Sequence, residues 1–393
     1  MGLTLSDVRL ESIAEISQIP TLHQCGAEAS LDYGDSIEVQ FSELLSGPAG
    51  VDEAARLQGL FTEFRNHITS QLIGREELVD CVLAGLVSGV PVSIFGPPGT
   101  AKSACVRLIA KACTSPKGND GASSEYFEWL VTNHTMPEEL FGPPKIDKLE
   151  AGVFERNTNG KLPEAEFVFL DEVFRGGGHI LNTLLTVINE RKFHNGTAPV
   201  DVPLVGLVAA ANDPPSSPDV EAFYDRFPVR FWVDSILSGI QADEVVTRGA
   251  ALLNKSASLD LQEGSVNESP HWKLSTNHFR LARHVLSIGE SAAQINQQHE
   301  DGPTERFEEF MTCFDIMRTE HGISDRSLWR LYRFGCALDW LQGRDMNKST
   351  QESEGVTGHL DVFRYVAATE ERSRDARGRV DEFIRGANLH GAN

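Results

Sequence analysis

Apolar positions recur at three- and four-residue spacing between Val51 and Gly89. Leu57, Leu60, Phe61 and Phe64 share one helical face, and Leu78, Val82, Leu83 and Leu86 share another. Ile73-Gly74-Arg75 breaks the run, so two helices are predicted. The period then changes. Val92-Ser93-Ile94-Phe95 reads as a buried strand that runs into a Gly/Pro loop. It is followed by a helix at 104–113, a strand at 127–132, a strand at 167–170, a helix at 180–190 and a strand at 204–211. Strands that are apolar on both faces and alternate with helices predict an open parallel α/β sheet.

Strand patterns stop near Ser235. Helical patterns continue, best formed at 328–341 and 360–369, and polar, Ser-rich stretches at 255–270, 298–305 and 346–357 separate them as exposed loops. No internal repeat is found. The expected organisation is an extension at 1–50, an α/β domain at 51–235, a helical domain at 236–370 and a charged tail at 371–393. In the extension Val8, Leu10, Ile13 and Ile16 suit one face of a short helix, packed on the body or on a neighbouring subunit.

Composition narrows the class. The chain has 393 residues, room for two or three domains, and its 40% apolar and 23% charged content is ordinary for a soluble globular protein. Asp and Glu outnumber Lys and Arg 57 to 35, for a formal charge of −22. That argues against a surface built to grip nucleic acid and against a polybasic membrane patch, although a local basic groove could still exist. No stretch approaches the ~18 apolar residues of a membrane helix. Asp7, Arg9, Glu11 and Glu15 interrupt any signal-peptide hydrophobic region. Cys25, Cys81, Cys105, Cys113, Cys313 and Cys336 form no C-x-x-C pair and have no His at zinc spacing, so reduced thiols in a cytoplasmic protein are expected.

The chemistry begins at Gly96-Pro97-Pro98-Gly99-Thr100-Ala101-Lys102-Ser103, between a strand and a helix that opens towards Ala104. Such a loop turns its backbone N–H groups inward as an anion nest, and the helix start adds partial positive charge. Lys102 is expected to reach the β- and γ-phosphates of ATP, and the Ser103 hydroxyl to bind Mg²⁺. Ala101 stands where the usual phosphate loop has Gly, which an allowed backbone angle would accommodate. Some 70 residues on, the apolar strand Phe167-Val168-Phe169-Leu170 ends in Asp171-Glu172. At the carboxyl edge of a parallel sheet Asp171 can hold the Mg²⁺ through water, and Glu172 can polarise a water for attack on the γ-phosphate. A second strand ends at Asn212, before Asp213-Pro214-Pro215. Its amide can hold the attacking water or the γ-phosphate, or it is turn chemistry alone.

Together these residues resemble the AAA+ ATPases, and within them the MoxR family, most closely its RavA branch. The other marks are Pro137-Glu138-Glu139-Leu140-Phe141-Gly142, Leu162-Pro163-Glu164-Ala165-Glu166, Leu181-Asn182-Thr183-Leu184-Leu185-Thr186, Ile188-Asn189-Glu190-Arg191 and Tyr224-Asp225-Arg226. The resemblance covers roughly residues 60 to 370. It implies a P-loop AAA+ parallel-sheet core followed by a helical lid domain, assembled as a hexameric ring. It implies Asn212 as the first sensor and Arg226 as the arginine finger that reaches the next subunit's ATP, with Arg230 as a rival. It implies Arg326, in Ser324-Asp325-Arg326, as the second sensor, through which the lid feels the γ-phosphate. Thr132 or Asn133 could couple Glu172 to a bound partner. The segments 141–163 and 193–203 match the family's two insertions near the pore. Relative to RavA proteins the first 50 residues are extra, and a further C-terminal region is missing.

The function expected from this is ATP hydrolysis that drives chaperone-like remodelling of a protein partner, which the resemblance implies to carry a von Willebrand factor A domain. An alternative is the motor of a nucleic-acid-acting or defence complex. Its pore should be lined by Lys and Arg. The insertions hold Lys145, Lys148, Arg156, Lys161, Arg191 and Lys192 but also Glu150, Glu155, Glu164 and Glu190, a mixed pattern that disfavours direct tracking along DNA. A third option is a nucleotide-switched scaffold that hydrolyses ATP slowly.

Overall fold

The structure is a computed structural model. It describes residues 33–113, 126–196, 198–215, 217–235, 274–296, 305–344 and 358–390. The expectation for Val8, Leu10, Ile13 and Ile16 lies outside these residues, as do Cys25 and most of the Ser-rich stretches.

Helix α1 (Tyr33–Leu44), α2 (Gly47–Gln71) and α3 (Glu76–Ser88) precede the first strand. The predicted break falls between α2 and α3, and α3 starts with Glu76 and Glu77, whose charges suit a helix N-terminus. Five strands then form one parallel sheet: β1 (Val92–Phe95), β2 (Tyr126–Leu130), β3 (Phe167–Asp171), β6 (Gly206–Ala211) and β7 (Val229–Trp232), in the spatial order β2-β3-β6-β1-β7. A separate antiparallel hairpin joins β4 (Lys192–Asn195) to β5 (Ala198–Asp201). Helix α4 (Lys102–Cys113) follows β1, α5 (Pro137–Phe141) and α6 (Ile146–Glu150) lie between β2 and β3, and α7 (Gly178–Glu190) and α8 (Pro218–Tyr224) flank β6.

The period-2 geometry of a strand explains why the sheet is covered on both faces. In β3, Phe167 and Phe169 point into one core while Val168 and Leu170 point into the other. In β6, Val208 and Ala210 divide from Leu207 and Ala209 in the same way. The first core joins α2, α3 and α4 to the helical part of the chain. The second packs α5, α7 and α8 against the opposite face.

Beyond 273 the described residues are helical: α9 (Thr276–Asn296), α10 (Glu305–His321), α11 (Leu328–Leu341), α12 (Gly358–Asp361) and α13 (Glu370–His390). Residues 328–341 match the expected helix. The expected 360–369 helix is instead the short α12 followed by a 3₁₀ turn at Val362–Tyr365. This helical part shares the first core with the body. Phe61 lies edge-on to Phe279 at 4.9 Å and to Trp340 at 5.2 Å, and Gln58 Nε2 donates to the Trp340 carbonyl at 2.7 Å. Arg65 Nη2 donates to Asp80 Oδ2 at 2.8 Å, and Gln342 Nε2 donates to the same oxygen at 3.1 Å. The end of the predicted extension also belongs to the body: Phe41 and Leu44 are buried in the first core, and Ser42 Oγ lies 3.1 Å from His284 Nε2.

The two insertions form one unit. Residues 143–157 fold back through a Pro144–Arg156 bridge, and the Arg156 N–H donates to Asn195 Oδ1 of β4 at 2.7 Å. Ile146 (72% exposed), Leu149, Phe154 and Val200 leave apolar surface on it. The five described cysteines are buried, with none in a disulfide. Among the described residues no helix is long and apolar enough to cross a membrane.

Candidate active site

The carboxyl ends of β1, β3 and β6 are neighbours, because Phe95 pairs with Ala211 and Asp171 with Ala210. Register alone therefore sets the start of the 96–103 loop beside Asn212 and near Asp171-Glu172. Gly96 leaves β1 at φ 142°, and a Cβ there would lie 2.4 Å from the Val233 carbonyl oxygen, so only Gly lets the loop leave beside β7. Gly99 (φ 79°) and Ala101 (φ 67°) both take the left-handed region, and the Thr100 hydroxyl closes the turn on the Pro97 carbonyl at 2.9 Å. Ala101 thus takes the angle that the usual Gly would take, at the steric cost of an L-residue there.

Lys102, at the start of α4, is 8% exposed. Its ammonium donates to the Gly96 carbonyl at 2.5 Å, to the Pro97 carbonyl at 3.1 Å and to Asn212 Oδ1 at 3.3 Å. Burial lowers its pKa, while the charges of Asp171, Glu172 and Asp213 pull it back up. Ser103 Oγ donates to Asp171 Oδ2 at 3.4 Å. Glu172 stands at φ 53°, and Asn212 Nδ2 donates to its Oε1 at 2.7 Å. Non-Gly residues in that region are uncommon and gather at functional sites.

One participant escaped the sequence reading. Arg175, in the 3₁₀ turn Val173–Arg175 directly after β3, places its Nε 3.2 Å from Glu172 Oε2. Its signal was the i,i+3 spacing from Glu172 within one turn. The Thr132 N–H donates to Thr135 Oγ1 at 2.8 Å.

The arginines lie at the opposite edge. Arg226 precedes β7 and so lies at the amino ends of the strands, away from its own phosphate loop, whereas Arg230 pairs with Ser93 inside the sheet. The Arg230 guanidinium is buried, lies 3.9 Å over the Tyr224 ring and donates through Nε to the Phe227 carbonyl at 2.9 Å. Arg226 keeps 18% of its side chain exposed, with Nη1 3.3 Å from Asp225 Oδ2. Its carbonyl accepts from Arg330 Nη1 of α11 at 3.2 Å. Arg326 is exposed at the head of α11 and belongs to the same group: burial, then the charges of Arg226 and Arg326, lower the Arg330 pKa against the pull of Asp225. The structure thus brings Lys102, Ser103, Asp171, Glu172 and Asn212 together at one edge, and gathers Arg226 and Arg326 at the other.

The donor set fits a magnesium nucleotide. A hydroxyl and a carboxylate, both hard oxygen ligands, face each other beside a buried ammonium and the backbone N–H groups of a helix start. Such a set can grip a polyphosphate, and Glu172 can draw a proton from water.

Comparison with known proteins gives the family. A protein of Methanocaldococcus jannaschii of uncharacterized function is 37% identical over 205 residues, covering 52% of this chain and 49% of that protein. The chaperone MoxR1 of Mycobacterium tuberculosis is 26% identical over 160 residues, covering 40% of this chain and 39% of its own length. The chain therefore spans about half or less of the curated relatives that it matches. A crystal structure from Cytophaga hutchinsonii, of a protein described as a candidate ATPase, has the same fold. It has a TM-score of 0.58 and 17% identity, and the match covers 88% of this chain and 98% of that one. The family model for the MoxR domain of MoxR–vWA–β-propeller ternary systems matches residues 60–267, more than half of the sequence. On that match this chain belongs to the MoxR family, as a MoxR domain of the kind found in those ternary systems.

Proposed function

We propose that the chain binds Mg·ATP at the 96–103 loop, hydrolyses it, and works as a hexameric ring that remodels a partner protein or complex. The observation that carries this reading is the convergence of Lys102, Ser103, Asp171, Glu172 and Asn212 at one sheet edge. Lys102 exchanges its carbonyl contacts for the β- and γ-phosphates. Ser103 and Asp171 would hold a magnesium ion, which would supply charge neutralisation for the phosphates. Glu172 orients the attacking water and accepts its proton, and the Asn212 amide fixes the carboxylate that does so. Arg175 releases Glu172 when water takes its place.

Arg226 serves as the arginine finger in this reading, in preference to Arg230, whose guanidinium is committed to Tyr224 and Phe227. The four residues of β7 span about 13 Å, so Arg226 cannot reach its own chain's phosphates across the sheet. It can reach those of the next subunit, and Arg326 would read that same neighbouring γ-phosphate. The description of the matched family supports a partner with a von Willebrand factor A domain, alongside a β-propeller protein. The motifs alone lean to the RavA branch; we adopt the ternary-system reading because the family model names it. Buried thiols outside any disulfide support a cytoplasmic setting.

Direct tracking on nucleic acid is disfavoured by the fate of the basic residues in the insertions. Lys145 pairs with Glu155, Arg156 with Glu138, Lys161 donates to the Glu139 carbonyl, and Arg191 donates to the Gly89 carbonyl. The test is subunit mixing. Arg226→Ala and Glu172→Gln proteins, each inactive alone, should recover ATP turnover when mixed, at interfaces that pair an intact Glu172 with an intact Arg226. No recovery at any ratio contradicts the shared site.

A further inference from the structure

The helical part carries a second group of metal-binding character, which shares no residue with the nucleotide site. Helix α10 ends at His321, where Gly322 turns away at φ 65°, and α13 passes beside that end. One ligand atom each from Glu320, His321 and Asp375 lies within 4.8 Å of the others. His321 is 6% exposed, and neither of its ring nitrogens, both buried, has a hydrogen-bond partner. Buried polar atoms are as a rule partnered, so an orphaned imidazole aimed between two carboxylates asks for an occupant. The nearest group, Asp375 Oδ2, stands 3.6 Å from Nε2, too far for a good hydrogen bond.

We propose that Glu320, His321 and Asp375 bind one divalent transition-metal ion of the zinc type. The imidazole forms the floor of the site, and the two carboxylates form a solvent-facing rim through which the ion arrives. Water completes a four-coordinate set. One nitrogen and two carboxylate oxygens suit Zn²⁺ and its Co²⁺ surrogate better than Mg²⁺ or Ca²⁺, which prefer oxygen alone. Metal–ligand distances of about 2.1 Å place tetrahedral ligand atoms about 3.4 Å apart, so the group closes by about an ångström, by rotation of exposed carboxylates. Burial lowers the His321 pKa, against the pull of Asp375 and Glu320. The carboxyl end of the 17-residue α10 adds partial negative charge. Arg372 and Arg379 oppose a cation. Arg379 holds Glu320 Oε1 at 3.0 Å, however, and leaves Oε2 for the metal, as an outer partner that orients the ligand. The bound ion ties the end of α10 to α13.

The test uses the full chain freed of metal with a chelator, then titrated with Zn²⁺ by calorimetry and with Co²⁺ by visible absorption. Wild type and Asp171→Asn should each bind one equivalent at this site, with the Co²⁺ bands of a low-coordinate site and a higher melting temperature. His321→Ala and Asp375→Asn should bind at least tenfold more weakly and lose that rise. Asp375 is half exposed, so its variant reports on the site even if His321→Ala fails to fold. Absence of saturable binding in wild type, equal binding in all four proteins, or loss of binding in Asp171→Asn alone overturns the proposal.

Discussion

Replacing Asn212 with Ala removes one amide that touches two members of the site. Its Nδ2 donates at 2.7 Å to a carboxylate oxygen of Glu172, a charge-assisted bond worth about 1.5–3 kcal/mol. The remaining support, Arg175 at 3.2 Å, comes from a side chain that is 62% exposed and therefore holds weakly. If Asn212 orients Glu172 for the transition state, that loss lowers kcat by about 10- to 150-fold. The contact with Lys102 is longer, 3.3 Å, and Lys102 keeps its two carbonyl partners, so ATP affinity should change by no more than about threefold. Single-turnover phosphate release and titration with a fluorescent ATP analogue separate the two quantities. Asn212→Asp replaces the donor with a second carboxylate beside Glu172 and should lower kcat at least as far as Asn212→Ala does. A tenfold weaker affinity with unchanged kcat would refute the reasoning, as would no change in either quantity.

Two further outcomes follow from local structure. Ala101→Gly should retain ATP binding and raise stability by about 0.5–1 kcal/mol in thermal melting, because relief of the left-handed strain exceeds the added freedom of the unfolded chain; a lower melting temperature contradicts this. Phe41→Ala should cost about 3–5 kcal/mol in chemical denaturation, because Phe41 is buried in the core shared with α9; a cost below 1 kcal/mol would make α1 a loosely attached extension.

Much of this architecture is legible in the sequence, where local pattern and tertiary demand agree. The strands ending at Phe95, Asp171 and Ala211 are largely apolar on both faces, and the sheet buries both. The phosphate loop reads out directly, because Gly96, Gly99 and Ala101 answer to backbone angles set within eight residues. Strand β7 was hidden by Arg230, a charge inside a four-residue run that the Tyr224 ring and the Phe227 and Tyr224 carbonyls make tolerable. The β4–β5 hairpin was hidden because its outward positions carry Lys192 and His194 and its pairing includes Pro199. The i,i+3 spacing of Arg175 from Glu172 carries meaning only through the left-handed turn at Glu172, which the sequence does not announce. Arg326 comes near Arg226 and Arg330 through the packing of α11, which no local spacing encodes.

The central claim is that Glu172 performs hydrolysis in a site that binds nucleotide without it. The most direct measurement is a paired one on wild type and Glu172→Gln: Mg·ATP affinity by calorimetry and phosphate release over time. Gln keeps the size of the side chain and an oxygen to accept from Asn212, but it cannot take a proton from water. The account predicts affinity within about threefold of wild type and turnover lower by on the order of 10²-fold or more. Equal loss of binding and turnover, or turnover that persists in the variant, would contradict it.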